Sequence, residues 1–307
     1  MSRFGQGEGP MSIEDLLGGG LMSRLDRLDV LSRKIFSGKV HGERRSRRRG
    51  QSVDFADYRP YTAGDDLRFV DWNIYARLES LFLKLFLEEE DLSLAIAIDT
   101  SPSMDWGGPN KLGFCKRLAM SLGYIGLVNQ HRVSLFGFDG GGVNPLTSMR
   151  GRRRTREMAS WLLSLTSGEP GGLEEAMRSI ALGRRGRGVL VVLSDFLEPD
   201  GYDAGLRYVT GGGDDVFCVQ VLAPDELDPA SRGLSGDVRL RDLETGADCE
   251  ITVTPALLRT YRERLDAFCT GLREWCSRRG IGHLAIGTDV DMEVLLVEYL
   301  RRQGLLQ

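Results

Sequence analysis

Apolar residues recur at Leu21, Leu25, Leu28, Leu31 and Ile35 with charged residues between them. That spacing predicts an amphipathic helix. Residues 1–20, before it, are Gly-rich and polar and read as a loose tail. Residues 80–88 (SLFLKLFLE) alternate as a strand does. From Asp91 the pattern changes. LSLAIAI (92–98) is a nearly continuous apolar run, as in a strand buried on both faces. Beyond it the chain predicts a helix over 111–130, a strand over 132–138, helices over 153–166 and 172–182, and a strand over 188–194. A helical turn over 201–209 and a strand over 215–222 follow. Then come hairpin strands over 237–242 and 247–253, a helix over 255–279, a strand over 281–287 and a helix over 290–303.

Strands alternating with helices predict an α/β fold, a doubly wound and mostly parallel sheet with helices on both faces. The expected organisation is a tail over 1–20 and an N-terminal helix with an irregular segment over 21–90, packed on the core. The sheet domain then runs over 91–307, with a hairpin insertion near 235–254.

In such sheets ligands sit just outside the carboxyl ends of the strands. Strand 92–98 runs into Asp99, Ser101 and Ser103, spaced DxSxS, and strand 188–193 into Ser194 and Asp195. Strand 132–138 runs into Asp139, and strand 281–287 into Thr288 and Asp289. Carboxylates and hydroxyls together form an all-oxygen donor set, the kind that hard cations such as magnesium prefer. Asp99, Ser101, Ser103 and Asp195 are therefore the candidate ligands for magnesium or manganese, with Asp105, Asp139, Thr166 and Ser167 as an additional set. Ordinary turn chemistry also places Asp, Ser and Pro after strands.

A second motif precedes the sheet: Gly64-Asp65-Asp66-Leu67-Arg68-Phe69-Val70-Asp71-Trp72, or GDDxRxxDW. It has no metal or nucleophile logic. Its acids, with Arg59, Arg68 and Arg77, suit bidentate pairs that tie the segment onto the sheet domain, with Trp72 and Tyr61 as anchoring bulk. The rival reading is a partner-binding surface, because Trp, Tyr and Arg dominate interface hot spots.

Composition narrows the classes. The 307 residues are ample for a core without disulfide or metal staples. Forty basic against 44 acidic residues leave a net charge of −4, which excludes a wholly basic nucleic-acid binder. Thirty-five of the forty are Arg, and thirteen of these gather at 44–49, 150–156 and 184–187. These runs read as solvated or partner-facing, with nucleic acid a third choice. Five cysteines without a CxxC pair and three scattered histidines offer no zinc site. No apolar run reaches the ~18 residues of a membrane span, and no signal-peptide core opens the chain, so a reduced, cytoplasmic protein is expected. His131 and His283 sit at the wrong ends of strands for a triad with the Asp99 loop, and no Walker or GxGxxG motif is present. Metal-dependent hydrolysis remains the alternative to a non-catalytic role.

DTSPSM after an apolar strand resembles the metal-ion-dependent adhesion site of von Willebrand factor type A domains. GDDxRxxDW narrows the match, with Arg44, Tyr58-Arg59, Ala76-Arg77, Asp242 to Gly246 and Thr288-Asp289 around it. Over residues 25 to 303 the chain resembles the bacterial "domain of unknown function 58" family. The resemblance implies a von Willebrand type A-like fold with an N-terminal extension. It also implies a chaperone-like adaptor working with a MoxR-type AAA+ ATPase and other type A proteins. In adhesion-type sites the metal's open position takes a partner's carboxylate, and a Thr from a second loop is a ligand. Relatives usually carry Gly-Gly-Thr there, whereas this chain has Gly171-Gly172-Leu173.

Overall fold

The computed structural model describes residues 12–17, 24–26, 28–30, 55–62, 65, 67–86, 92–184, 188–198, 201–211, 213–230, 236–243 and 246–306. Two compact units divide the chain: residues 1–37 with 92–307, and residues 38–91. The boundary therefore falls inside the expected 21–90 segment, since the first residues belong with the sheet.

The smaller unit holds strand β1 (Phe55–Pro60), helix α2 (Trp72–Leu78) and strand β2 (Phe82–Phe86); helix α1 (Ile13–Leu17) belongs to the larger unit. β1 and β2 pair antiparallel, with Arg59 opposite Leu83, and Val70 bridges Leu83 as well. Asp71 caps α2: its Oδ1 accepts from the Asn73 and Ile74 backbone N–H groups at 2.9 and 3.3 Å, and the Tyr58 hydroxyl donates to its Oδ2 at 3.0 Å. A side-chain acceptor at this position satisfies donors that the first helical turn leaves unpaired. The Arg59 guanidinium grips Asp65 bidentately at 2.6 and 2.7 Å. This pair closes the segment on itself. Trp72 is exposed and meets Tyr75 edge to face, 6.1 Å between centroids. Gly64 and Asp66 lie outside the described residues.

The larger unit is built on a six-stranded sheet of β3 (Ser93–Asp99), β4 (Arg132–Asp139), β5 (Gly142–Met149), β6 (Gly188–Ser194), β7 (Asp215–Leu222) and β10 (Gly282–Gly287). The spatial order is β10-β7-β6-β3-β4-β5. All neighbours are parallel except β4 and β5. β5 was not foreseen. It carries Pro145, which cannot donate to a ladder and suits an edge strand.

Two cores lie on opposite faces because alternate side chains of each strand point opposite ways. Leu94, Ile96 and Ile98 of β3 face α3 (Lys111–Val128), α4 (Thr155–Ser164) and the C-terminal helix, α9 (Met292–Val294) continued as a π-helix over Leu295–Leu300. Ala95 and Ala97 face α5 (Leu173–Gly183), α6 (Asp203–Thr210) and the last turns of α8 (Pro255–Arg278). Between β7 and α8 lie the short helix α7 (Pro224–Leu227) and the exposed hairpin β8 (Gly236–Arg241) and β9 (Asp248–Val253).

Two N-terminal expectations are corrected. The 1–20 region is not all loose, since α1 buries Leu16. The helix expected over Leu21 to Ile35 is not continuous: residues 24 and 25 are helical, Asp26 is a turn, and Val30 forms an antiparallel bridge with Leu306, while Leu21, Leu31 and Ile35 lie outside the described residues. Leu25, Leu28 and Val30 are buried all the same, because the C-terminal segment offers Val30 a partner strand.

Candidate functional site

Renumbered within the sheet, the strand order is 3-2-1-4-5-6, and its reversal falls between β3 and β6. Connections leave such a point in opposite directions and open a crevice at the carboxyl ends. Asp99 closes β3 and Asp195 follows β6 there, both about 2% exposed. The fold and this position define the class: a doubly wound α/β domain with its acidic cluster at the switch point.

Each loop is wound by its own side chains. Asp99 Oδ1 accepts from the Ser101 N–H at 2.9 Å, and Pro102 leads into a 3-10 turn over Pro102–Met104, pinned by the fully buried Met104. Ser194 Oγ accepts from the Phe196 N–H at 2.8 Å and donates to Asp99 Oδ2 at 2.5 Å. Asp195 Oδ1 accepts from the Leu197 N–H at 3.0 Å, and the Gln220 amide donates to the Asp195 carbonyl at 3.2 Å. Phe196 holds a left-handed φ of 60° while fully buried, a strained conformation of the kind that clusters at such loops.

The decisive group was not foreseen. Lys111, the first residue of α3, is fully buried, and its Nζ donates to Asp195 Oδ2 at 2.7 Å and to Glu226 Oε1 at 2.6 Å. Glu226 also accepts from the Ala223 N–H through Oε2 at 2.7 Å, and the Tyr261 hydroxyl donates to its carbonyl at 2.9 Å. A helix start favours anions, so a lysine there opposes local preference. Burial opposes the charge on Lys111, but the Asp195 and Glu226 carboxylates outweigh it and hold the ammonium's pKa above the ordinary lysine value. Burial raises Glu226 despite Lys111. Burial, reinforced by the charge of Asp195, pushes the Asp99 carboxyl up to about 6, against the hydrogen bonds from Ser194 and Ser101.

The remaining candidates divide. Ser101 and Ser103 are brought together, Oγ to Oγ 3.1 Å. Asp139 binds Thr100 Oγ1 at 2.9 Å and the Gly141 N–H at 2.8 Å, and Asp105 accepts from Asn110 Nδ2 at 2.9 Å. The second loop lies against the first, since the Gly168 N–H donates to the Thr100 carbonyl at 2.8 Å. Thr166 is exposed and Ser167 half-buried. The oxygens of Asp99 and Asp195 are met by Ser101, Ser194, Leu197 and Lys111, and neither Thr166 nor Ser167 is among these partners. Leu173, at the usual Thr position, is buried in the second core and offers no oxygen. Gly172 before it has φ 105° and passes so close to Asp139 that a Cβ would stand 2.2 Å from its carbonyl oxygen.

This donor set does not fit a divalent ion. Each oxygen of both carboxylates already accepts a hydrogen bond, the Thr ligand is missing, and an ammonium already lies on Asp195. Two unit charges about 4 Å apart repel by ~4 kcal/mol at an effective dielectric of ~20, and a dication by twice that. Among the described residues, no three His, Cys, Asp or Glu side chains converge to hold a metal. His131 pairs with Asp29 at the amino end of β4, and His283 lies at the amino end of β10, both away from this cluster. Of the Arg runs, Arg152 bonds Asp26 at 3.2 Å and Arg184 pairs with Asp214 at 3.0 Å, so both serve the fold. Arg44 to Arg49, Arg185 and Arg187 lie outside the described residues. All five cysteines are free. No described helix is long and apolar enough to cross a membrane.

The chain belongs to the family "Protein of unknown function DUF58", whose pattern matches residues 57–267, more than half its length. It is 25% identical over 295 residues to uncharacterized proteins of Mycobacterium bovis and Mycobacterium tuberculosis, covering 93% of this chain and 91% of theirs. Among solved structures it is similar to an aerotolerance-related membrane protein from Bacteroides fragilis, at 17% identity and a TM-score of 0.42, covering 69% of this chain and 98% of that one. The SpRpn10 VWA domain matches at 13% identity and a TM-score of 0.38, covering 67% and 93%.

Proposed function

We propose that this protein is a non-catalytic interaction module, a chaperone-like adaptor that works with a MoxR-type AAA+ ATPase and other type A proteins in the cytoplasm. One observation supports the non-catalytic part: among the described residues, the buried serine and lysine at the switch point are committed to carboxylates. Ser194 is fully buried with its hydroxyl committed to Asp99, and Ser101 is 2% exposed. Lys111 is held charged by two carboxylates and cannot take a proton from a serine. The loops beside this cluster, with Asp105 exposed and Ser103 half-buried, supply the partner surface. The choice of ATPase comes from the family resemblance.

The experiment is co-purification of the tagged full chain with the MoxR-type ATPase of the same genome. Stoichiometric retention is expected, with Asp105→Arg weakening it while the melting temperature holds. Absence of retention in every nucleotide state of the ATPase overturns the partner, and turnover of ester or phosphate substrates abolished by Asp99→Ala overturns the non-catalytic reading.

A further inference from the structure

We infer that Lys111 supplies from within the chain the positive charge that adhesion-type sites draw from a divalent ion, so that this end of the sheet works without metal. The inference deepens the reading above, because it concerns the same loops, but it stands on the ammonium and its carboxylates and not on any partner.

Three observations converge. The first is placement. Lys111 opens an 18-residue helix, where the dipole disfavours a cation, and its side chain is 0% exposed. A buried lysine at that position is stable only where carboxylates face it, and Asp195 and Glu226 both do, at 2.7 and 2.6 Å. The second is occupancy. Asp195 spends one oxygen on Lys111 and the other on the Leu197 N–H, while Asp99 spends its two on the Ser101 N–H and the Ser194 hydroxyl. A metal entering here must share oxygens that already accept hydrogen bonds and compete with a buried ammonium for Asp195. The third is the second loop, where the usual Thr oxygen is replaced by the buried Leu173. A site with no hydroxyl at position 173 and an internal cation on Asp195 lacks a donor and already carries the charge that an ion would bring. Glu226 completes the arrangement: it arrives from the short helix after β7 and brings a second negative charge to the ammonium.

The test is calorimetry and thermal unfolding of the full chain with magnesium or manganese chloride alone. The natural protein is expected to show no saturable heat and no melting shift at millimolar ion. Lys111→Ala is expected to gain a manganese-dependent rise in melting temperature, and Lys111→Ala with Asp99→Asn to lose it. Saturable uptake by the natural protein that Asp99→Asn abolishes overturns the inference, as does a folded Lys111→Ala that ignores both ions. Should Lys111→Ala not fold, the natural protein decides alone: no uptake sustains the inference and Asp99-dependent uptake ends it. No partner is present in these measurements, so their outcome is separate from that of the co-purification.

Discussion

Lys111 Nζ lies 2.7 Å from Asp195 Oδ2 across 84 positions of sequence, with the two side chains only 0% and 3% exposed. The contact joins the start of α3 to the end of β6 and so spans the switch point. Removing one partner of a buried pair strands the other charge, which typically costs about 3–5 kcal/mol. Lys111→Met is therefore expected to lower unfolding free energy by that order in guanidinium titration. Arg262→Ala, which breaks an exposed pair with Asp228, should cost less than about 1 kcal/mol.

Restoring the hydroxyl that relatives usually carry should not restore a metal site. Leu173→Thr trades a buried leucine for a smaller, polar side chain, and a loss of about 1–3 kcal/mol is expected in denaturant titration. Its melting temperature should not respond to manganese while Lys111 remains. A manganese-dependent rise in this single variant would contradict the account of the site.

His283 sets an acid limit on stability. Burial, with Arg273 nearby, depresses its pKa from 6.5 to about 4, and its Nε2 is buried without a hydrogen-bond partner. The unfolded chain binds a proton at this residue between pH 6.5 and 4 and the folded chain does not. Its contribution is present above pH 6.5 and is lost as pH falls toward 4. Because the ring is only half-buried, the span is discounted to no more than about 2 kcal/mol. Denaturant titration from pH 7 to 4 should show a fall that His283→Gln flattens.

In the smaller unit Asp71 acts as a helix cap. Asp71→Ala should loosen α2 by about 1 kcal/mol, seen as faster hydrogen exchange at the Asn73 and Ile74 amides, whereas Asp71→Asn keeps a good capping side chain and should change little. Equal acceleration in both variants would mean that the carboxylate's charge, and not its capping geometry, holds the turn.

Much of the sheet was legible because its strands are buried on both faces. SLAIAID and GVLVVLS are apolar at nearly every position, a pattern that needs no knowledge of neighbours. Gly142 to Met149 was missed because Pro145 and the polar residues around it resemble a loop, and only pairing with β4 makes them a strand. The opposite error occurred at Leu21 to Ile35. Helical spacing picked out Leu25 and Leu28, which are buried, but Val30 between the spaced positions is extended because Leu306 lies beside it. Asp99, Ser101, Ser103 and Asp195 were found from position alone, since strand ends can be read locally. Lys111 was not, although a lysine opening a largely apolar helix against its dipole was the available signal.

The sequence by itself determined the alternation of strands and helices, the family and the acids at the strand ends, because periodicity and short motifs are local properties. Only the tertiary structure decided what those acids hold. Whether Asp99 and Asp195 face a metal or an ammonium depends on α3, β6 and the short helix after β7 meeting at one point. Residues 99, 111, 195 and 226 share no spacing that would announce it, and the balance of charge in a buried cluster is set by distance in space, not along the chain.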